Sequence, residues 1–233
     1  MTDRPHNELR PATVELAFTD STPGSVLISM GKTRVLCTAS VDADVPRWMR
    51  DKGRGWVTAE YAMLPGSSYE RVRRDHVSGG RAKEISRLIG RALRAAVDLK
   101  RMGEVMARVD CDVIEADGGT RTAAITGGWI ALHQALEDAV SKEIIPANPI
   151  IDEVAAVSVG IVDGEKILDL DYENDVRAEV DLNVVMSGRG LLVEVQGTAE
   201  GAPFTRDDLD ELLDLASSGI SELHDMQRRA VAG

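Results

Sequence analysis

The segment EADGGTRTAAITGG, residues 115–128, joins a predicted strand to a predicted helix, and the interpretation of the whole chain starts from it. The residues before it, VMARVDCDVI (105–114), are rich in β-branched side chains and predict a strand. The mostly apolar stretch 122–140 predicts a helix. Gly118 and Gly119 lie between these elements, where free backbone N–H groups and the positive end of the helix dipole favour an anion. The segment therefore predicts a strand, an anion-binding turn and a helix.

The residues after the two glycines have the chemistry of a phosphate site. Thr120 offers a hydroxyl donor, and the planar guanidinium of Arg121 can donate two hydrogen bonds to one phosphate. A double glycine before threonine is also an ordinary turn and helix cap, so this motif alone leaves both interpretations open. A second arginine, Arg81, follows another glycine pair at the start of a second predicted helix. We expect Arg81 to complete a phosphate-binding site with Gly119, Thr120 and Arg121.

Further strands and helices follow on both sides of this unit. Strands are predicted at 13–18, 25–30, 33–40, 55–61, 153–162, 178–186 and 191–197, and helices at 81–98 and from Thr205 onward. The Thr205 hydroxyl can cap the last helix, with Asp208 at its third position. The order predicts an α+β fold with helices set against mainly antiparallel sheets. We expect an N-terminal half (8–146) and a C-terminal half (150–230), packed as one compact unit.

The strand predicted at 178–186 carries an acidic face. Glu179, Asp181 and Asn183 alternate with apolar residues, and Asp175 keeps the same parity if the strand extends back to it. Clustered carboxylates repel one another, which suggests a bound cation, and oxygen ligands favour Mg²⁺ over zinc. A solvent-facing sheet surface is the alternative.

The turn after this strand would determine what lies across from the carboxylates. If residues 187–190 form a four-residue hairpin turn, Asp181 lies opposite Gln196 and Asn183 opposite Glu194. The second strand would then add further polar side chains to the acidic face.

Composition excludes several classes of protein. The chain has 233 residues, 43% of them hydrophobic, yet no apolar run approaches the roughly 18 residues of a membrane span. The N-terminus is polar, so we expect a cytoplasmic protein without a membrane partner. Cys37 and Cys111 lie in apolar runs and are expected to be reduced and buried, and the four histidines lack metal-ligand spacing.

A formal net charge of −12 argues against indiscriminate coating of nucleic acid, but the basic residues are concentrated. Arg71, Arg73, Arg74, Arg87 and Arg91 are the candidate RNA-binding residues in the basic segment 71–94. On the predicted helix, Arg87, Arg91 and Arg94 occupy a face that is solvated or forms an interface. Because single-stranded RNA needs a longer positive track than one chain offers, we expect several copies to cooperate.

The series of motifs along the chain resembles the ribonuclease PH family, phosphorolytic 3′-to-5′ exoribonucleases that trim tRNA precursors. The motifs are LRPATVELAFT, GSVLISMGKTRVLCTAS, GWVTAEYAMLP, EISRLIGRALRA, DCDVIEADGGTRTAAITGG, RAEVDLNVVM and VEVQGTAEGAPF, in the family's order. The resemblance implies two ribosomal-protein-S5-like β-α halves, dimers assembled into a hexameric ring, and RNA with a single-stranded 3′ end as substrate.

The resemblance also implies roles for individual residues. Inorganic phosphate, the attacking co-substrate, would be held at a dimer interface by the matched residues Arg81, Gly119, Thr120 and Arg121. Asp175 and Asp181 match the family's essential aspartates and would be catalytic, holding Mg²⁺ or assisting proton transfer. The loop 67–80 is shorter and less basic than is usual in the family, which leaves a non-catalytic, ring-forming RNA-binding relative as the alternative.

Overall fold

The structure is a computed structural model that describes residues 4–73 and 79–232. Its N-terminal half contains a five-stranded sheet with the strand order β1-β2-β3-β5-β4. The strands are β1 (Ala12–Leu16), β2 (Gly24–Met30), β3 (Thr33–Asp42), β4 (Trp56–Met63) and β5 (Met106–Glu115). Only β4 and β5 pair in parallel, because helix α1 (Gly80–Ala95) connects them; the other neighbours are antiparallel.

The C-terminal half contains a four-stranded antiparallel sheet with the order β7-β6-β8-β9. Its strands are β6 (Val154–Val162), β7 (Glu165–Leu168), β8 (Val180–Ser187) and β9 (Leu192–Ala199). Helix α2 (Thr120–Ser141) connects the halves, the short helix α3 (Tyr172–Arg177) precedes β8, and helix α4 (Arg206–Val231) ends the chain. The predicted cap is confirmed, since Thr205 and Asp208 form a capping box.

The two halves share one hydrophobic core, as the α+β prediction of a single compact unit requires. Helix α2 packs against β2 and β3 of the first sheet and against β6 of the second. A Cβ at Gly127 would lie 2.7 Å from Ile28 Cγ2, so glycine allows this close approach. From α4, Gln227 Nε2 donates to the carbonyls of Thr126 and Val154. The cysteines are free and buried as expected.

Two local predictions are wrong. Asp175 does not continue strand β8; it lies in α3, whose first turn is fixed by the Asp171 side chain accepting from the backbone N of Asn174. Asp181 pairs with Thr198, two residues beyond the predicted Gln196. Met186 faces Leu192, one residue further than a four-residue turn gives, and a bulge between Val185 and Met186 adds the second residue. A two-residue shift preserves the alternation of faces, so the polar character of this face survives.

The same shift moves Asn183. It pairs with Gln196 rather than with Glu194, and Glu194 lies opposite Val185.

In the described ranges, no helix combines the length and the apolar character needed to cross a membrane.

Candidate active site

A cavity of about 770 Å³ lies where the two halves meet. The N-terminal half contributes Arg81 and the segment 118–121 to its lining, and the C-terminal half contributes Asp175 and Asp181. Residues that are up to 100 positions apart in the sequence thus line one cavity. All six residues predicted as catalytic or phosphate-binding are among them: Arg81, Gly119, Thr120, Arg121, Asp175 and Asp181.

The turn before α2 requires glycine. Gly118 and Gly119 have φ angles of +76° and +65°, and a Cβ at Gly118 would lie 2.5 Å from the Leu170 carbonyl oxygen. Thr33 fixes the turn from β3: its Oγ1 donates to the Gly118 carbonyl at 2.6 Å and accepts from the Asp117 backbone N at 2.9 Å. The turn therefore presents the first residues of α2, Thr120 and Arg121, to the cavity in a fixed orientation.

A buried ion pair supports this turn from behind. Arg10 is 6% exposed and Asp169 is fully buried, and the Arg10 Nη2 and Nε donate to the two Asp169 oxygens at 2.7 and 2.9 Å. The Arg10 Nη1 also donates to the Asp117 carbonyl. Burial lowers the pKa of Arg10, but its bonds to Asp169 outweigh this and the pKa is raised. Arg10 thereby joins the N-terminal segment, the glycine turn and the loop before α3.

The two predicted phosphate-binding arginines differ in how they are held. Arg121 Nη1 donates to Gln196 Oε1 at 3.0 Å, and Gln196 Nε2 donates in turn to Glu84 Oε1 at 2.8 Å. Arg81 is exposed at the start of α1 and, within the described parts of the chain, makes no hydrogen bond or ion pair. Both arginines lower the pKa of Asp175, so both act on one acidic group.

The two aspartates lie in a partly desolvated environment. Burial and the charge of Asp175 raise the pKa of Asp181 to about 6, while Arg121 opposes the shift. Burial also raises the pKa of Asp175, against the effects of Arg81 and Arg121. The Oδ1 atom of Asp181 is buried and has no hydrogen-bond partner among the described residues. Because an unpaired buried carboxylate oxygen is unfavourable, this atom is suited to bind a proton or a cation.

The acidic pair fits Mg²⁺ better than zinc. Among residues 4–73 and 79–232, no group of three or more His, Cys, Asp or Glu side chains forms a metal cage. Mg²⁺ is commonly held by one or two carboxylates, with water and substrate phosphates completing its ligands. Asp175 and Asp181 match that donor set, and Asp181 Oδ1 is the buried oxygen without a partner.

The candidate RNA-binding arginines lie in different surroundings. Arg71 and Arg73 line the cavity, and Arg74 lies outside the described residues. Arg87 is exposed on α1, whereas Arg91 Nη1 pairs with Glu194 Oε2 of the same chain at 2.5 Å.

Arg94 departs from the predicted solvated face of α1. Its Nη1 donates to the Val57 carbonyl at 2.7 Å, and its guanidinium lies 4.3 Å from the centre of the Trp56 ring. Because both partners belong to β4, Arg94 helps to hold α1 against the sheet.

Sequence reasoning missed three residues that organise the cavity: Arg10, Thr33 and Tyr61. Arg10 and Tyr61 belong to the motifs LRPATVELAFT and GWVTAEYAMLP, but no local pattern assigned either residue to the site. The Tyr61 hydroxyl lies 2.8 Å from Thr120 Oγ1. Such contacts join distant parts of the chain and leave no signal in local periodicity.

The two β-α halves thus meet at a cavity lined by the glycine turn, Arg81, Arg121 and the two aspartates. Residues 8–136 match domain 1 and residues 152–219 match domain 2 of the 3′ exoribonuclease family. The chain therefore belongs to the 3′ exoribonuclease family.

Curated relatives are similar over nearly the whole length. A protein named Ribonuclease PH from Corynebacterium efficiens is 53% identical over 231 residues, which cover 98% of this chain and 94% of the relative. One of the same name from Methylobacterium radiotolerans is 54% identical over 232 residues, covering 98% of both chains. The resemblance noted in the sequence is thus confirmed.

Solved structures share the fold at low sequence identity. An Archaeoglobus fulgidus exosome, described as having RNA bound to the active site, matches with a TM-score of 0.81 at 21% identity, covering 95% of this chain and 90% of that chain. An archaeal exosome core matches with a TM-score of 0.77 at 19% identity, covering 96% and 89%. These matches confirm the two-half α+β fold.

Proposed function

We propose that the protein is a phosphate-dependent 3′-to-5′ exoribonuclease of the ribonuclease PH type. Inorganic phosphate attacks the 3′-terminal phosphodiester of RNA and forms a new P–O–P bond. The bond to the 3′ oxygen of the preceding nucleotide breaks, so the products are a nucleoside diphosphate and an RNA shortened by one nucleotide. The reverse reaction adds nucleotides to RNA 3′ ends. The observation that carries the proposal is the convergence of a phosphate cradle and an acidic pair on one cavity.

The phosphate cradle binds and orients the nucleophile. Two anions must approach each other, and the positive charges of Arg81 and Arg121 offset their repulsion. Thr120 adds a hydroxyl at the N-terminus of α2, where the helix dipole also favours an anion. The contact between Arg121 and Gln196 leaves the remaining guanidinium nitrogens to bind oxygen atoms of the phosphate.

The acidic pair acts on the other side of the reacting phosphodiester. Asp175 and Asp181 would hold Mg²⁺, which when bound supplies positive charge to the transferring phosphoryl group. Alternatively, Asp181 passes a proton to the leaving 3′ oxygen, since a pKa of about 6 keeps a minor fraction of the carboxyls protonated near neutral pH. Both roles need a carboxyl oxygen that can be reached from the cavity, and Asp181 is one of the residues that line it.

The proposal also covers the substrate, the assembly and the cellular location of the protein. RNA with a single-stranded 3′ end, tRNA precursors above all, is the proposed substrate. A hexameric ring of dimers in the cytoplasm is the proposed assembly, supported by the similarity to exosome structures. The curated relatives and the convergent cavity favour the enzyme over the alternative, a ring-forming RNA-binding relative without activity.

The experiment that tests the function is a degradation assay. A 3′-tailed RNA is incubated with the protein and Mg²⁺, with and without inorganic phosphate, and the released nucleotides are separated. We expect nucleoside diphosphates that depend on phosphate. RNA binding without any nucleotide release would support the non-catalytic alternative instead.

Arg121→Ala should raise the apparent KM for inorganic phosphate about ten- to hundredfold, because it removes a charged, forked hydrogen-bond donor from the cradle. Arg206→Ala is the matched control, since that arginine side chain is 90% exposed on α4 and lies outside the cavity lining. Initial rates measured over a phosphate series check the prediction. An unchanged phosphate dependence in Arg121→Ala would place the nucleophile elsewhere.

Reversing the charge of Arg87 and Arg91 together should either dissociate the oligomer into smaller species or reduce the activity on long RNA at least tenfold. These arginines lie on the exposed side of α1 in the basic segment, and positive charge there would serve a neighbouring subunit or the RNA backbone. Light scattering and degradation of a long tailed RNA separate the two outcomes. A variant that is a fully active monomer would contradict both.

A further inference from the structure

Tyr61 is the buried side chain whose hydroxyl meets the phosphate cradle. It lies on β4, is 3% exposed, and lines the cavity together with Arg81, Thr120 and Arg121. Its hydroxyl oxygen is 2.8 Å from Thr120 Oγ1. On the backbone side, the N–H of Tyr61 donates to Ser86 Oγ of α1 at 3.0 Å, which fixes the position of this residue in the strand.

Which of the two hydroxyls donates the hydrogen bond matters for anion binding. If Thr120 donated to Tyr61, its only proton would be engaged and lone pairs would face the cavity, where they would repel phosphate. If Tyr61 donates, the Thr120 proton remains free to point toward an anion.

The structure favours donation by Tyr61. Within the described ranges, the Tyr61 hydroxyl has Thr120 Oγ1 as its hydrogen-bond partner and no other, so a donation to Thr120 is what satisfies the buried phenol proton. A phenol is also a stronger acid than an aliphatic alcohol and hence the better donor of the pair.

The electrostatic environment keeps that proton on Tyr61. Burial raises the pKa of Tyr61, while the bond to Thr120 and the charges of Arg81 and Arg121 lower it; burial dominates. The phenol is therefore neutral at physiological pH and available as a donor. The effect of the two arginines also indicates that the hydroxyl pair lies within their field, where a bound phosphate would lie.

We propose that Tyr61 is a positioning residue that donates to Thr120 and thereby directs the Thr120 hydroxyl proton at the phosphate nucleophile. This proposal rests on the proposed function, because it assigns a role within the phosphate cradle. It predicts a specific energetic dependence: Tyr61 contributes to phosphate affinity only through Thr120.

A double-mutant cycle tests this dependence. Tyr61→Phe should weaken binding of inorganic phosphate, measured by calorimetry, about three- to tenfold, and raise the phosphate KM equally while leaving kcat and the KM for RNA within about twofold. In a Thr120→Val background, Tyr61→Phe should have no further effect on phosphate binding. Ser86→Ala is the control, because it perturbs the backbone contact of Tyr61 without removing the hydroxyl.

Each outcome bears on the proposal separately from the proposed function. Equal phosphate affinity in wild type and Tyr61→Phe, or an effect that persists undiminished in Thr120→Val, would overturn the positioning role. A loss of stability with unchanged phosphate affinity would show that the phenol hydroxyl is only structural and would overturn it too. Calorimetry measures phosphate binding without turnover. If the protein bound phosphate but released no nucleoside diphosphate, the proposed function would be refuted, and the calorimetric comparison would still decide the role of Tyr61.

Discussion

Asp181→Asn should lower the rate of phosphate-dependent RNA degradation by about 10²- to 10⁴-fold while leaving the protein at least as stable as the wild type. The substitution keeps the shape of the side chain but removes the charge that would hold Mg²⁺ or the proton that would reach the leaving oxygen. Rates on a short tailed RNA at saturating phosphate provide the measurement. Asp110→Asn is the control, since Asp110 lies on β5, its pKa is also raised by burial, and it does not line the cavity.

The difference in stability between the wild type and Asp181→Asn should depend on pH. A folded-state pKa of about 6 exceeds the ordinary aspartate value of 3.8, so the native state binds the proton more tightly than the unfolded state. The wild type therefore loses stability as the pH rises from about 4 through 6, by on the order of 1–3 kcal/mol. Asp181→Asn lacks this loss and should be the more stable protein at pH 8 with a metal chelator present. If Asp181→Asn kept wild-type activity, or if it were clearly less stable than the wild type at pH 8, the result would contradict this role for Asp181.

Asp169→Ala should lower the free energy of unfolding by about 3–5 kcal/mol, because it leaves the Arg10 guanidinium buried without its counter-charge. The matched control is Asp163→Ala. Asp163 pairs with Arg177 at the surface, where the two side chains are 70% and 45% exposed, so its loss should cost less than about 1 kcal/mol. Urea unfolding at pH 7 compares the two variants.

A second pair of variants keeps the test decisive if Asp169→Ala does not fold. Asp169→Asn retains an oxygen acceptor and tolerates the backbone φ of +54° at this position, so it should lose less stability. Replacing both partners, with Arg10→Met and Asp169→Asn, should recover part of the loss because no buried charge remains and asparagine tolerates this φ. If Asp169→Ala and Asp163→Ala lose equal stability, the buried pair does not support the glycine turn in the way described.

Local sequence patterns predicted most of the elements. The 3.6-residue periodicity of α1 reflects one buried face, which local composition records directly. The capping box at Thr205 is also set by neighbouring residues. These features could be predicted because their causes lie within a few positions of their effects.

The errors have causes that alternation and periodicity do not record. Helix α3 has six residues, too few for a periodic pattern, and its start depends on the Asp171 cap. The bulge beside Val185 changes the register of β9 without changing the alternation of either strand. The bonds from Arg10 to Asp169 and from Tyr61 to Thr120 span 159 and 59 positions. Such contacts become visible only in the folded chain.

The central claim is that inorganic phosphate bound at the cradle attacks the terminal phosphodiester of RNA. The most direct test uses ³²P-labelled orthophosphate, unlabelled 3′-tailed RNA and Mg²⁺, with Arg121→Ala as the comparison. We predict that the label appears in the β-phosphate of the released nucleoside diphosphates, and that this transfer is greatly reduced in the variant at limiting phosphate. Release of unlabelled nucleoside monophosphates at a rate independent of phosphate would mean that water is the nucleophile, and would contradict the account.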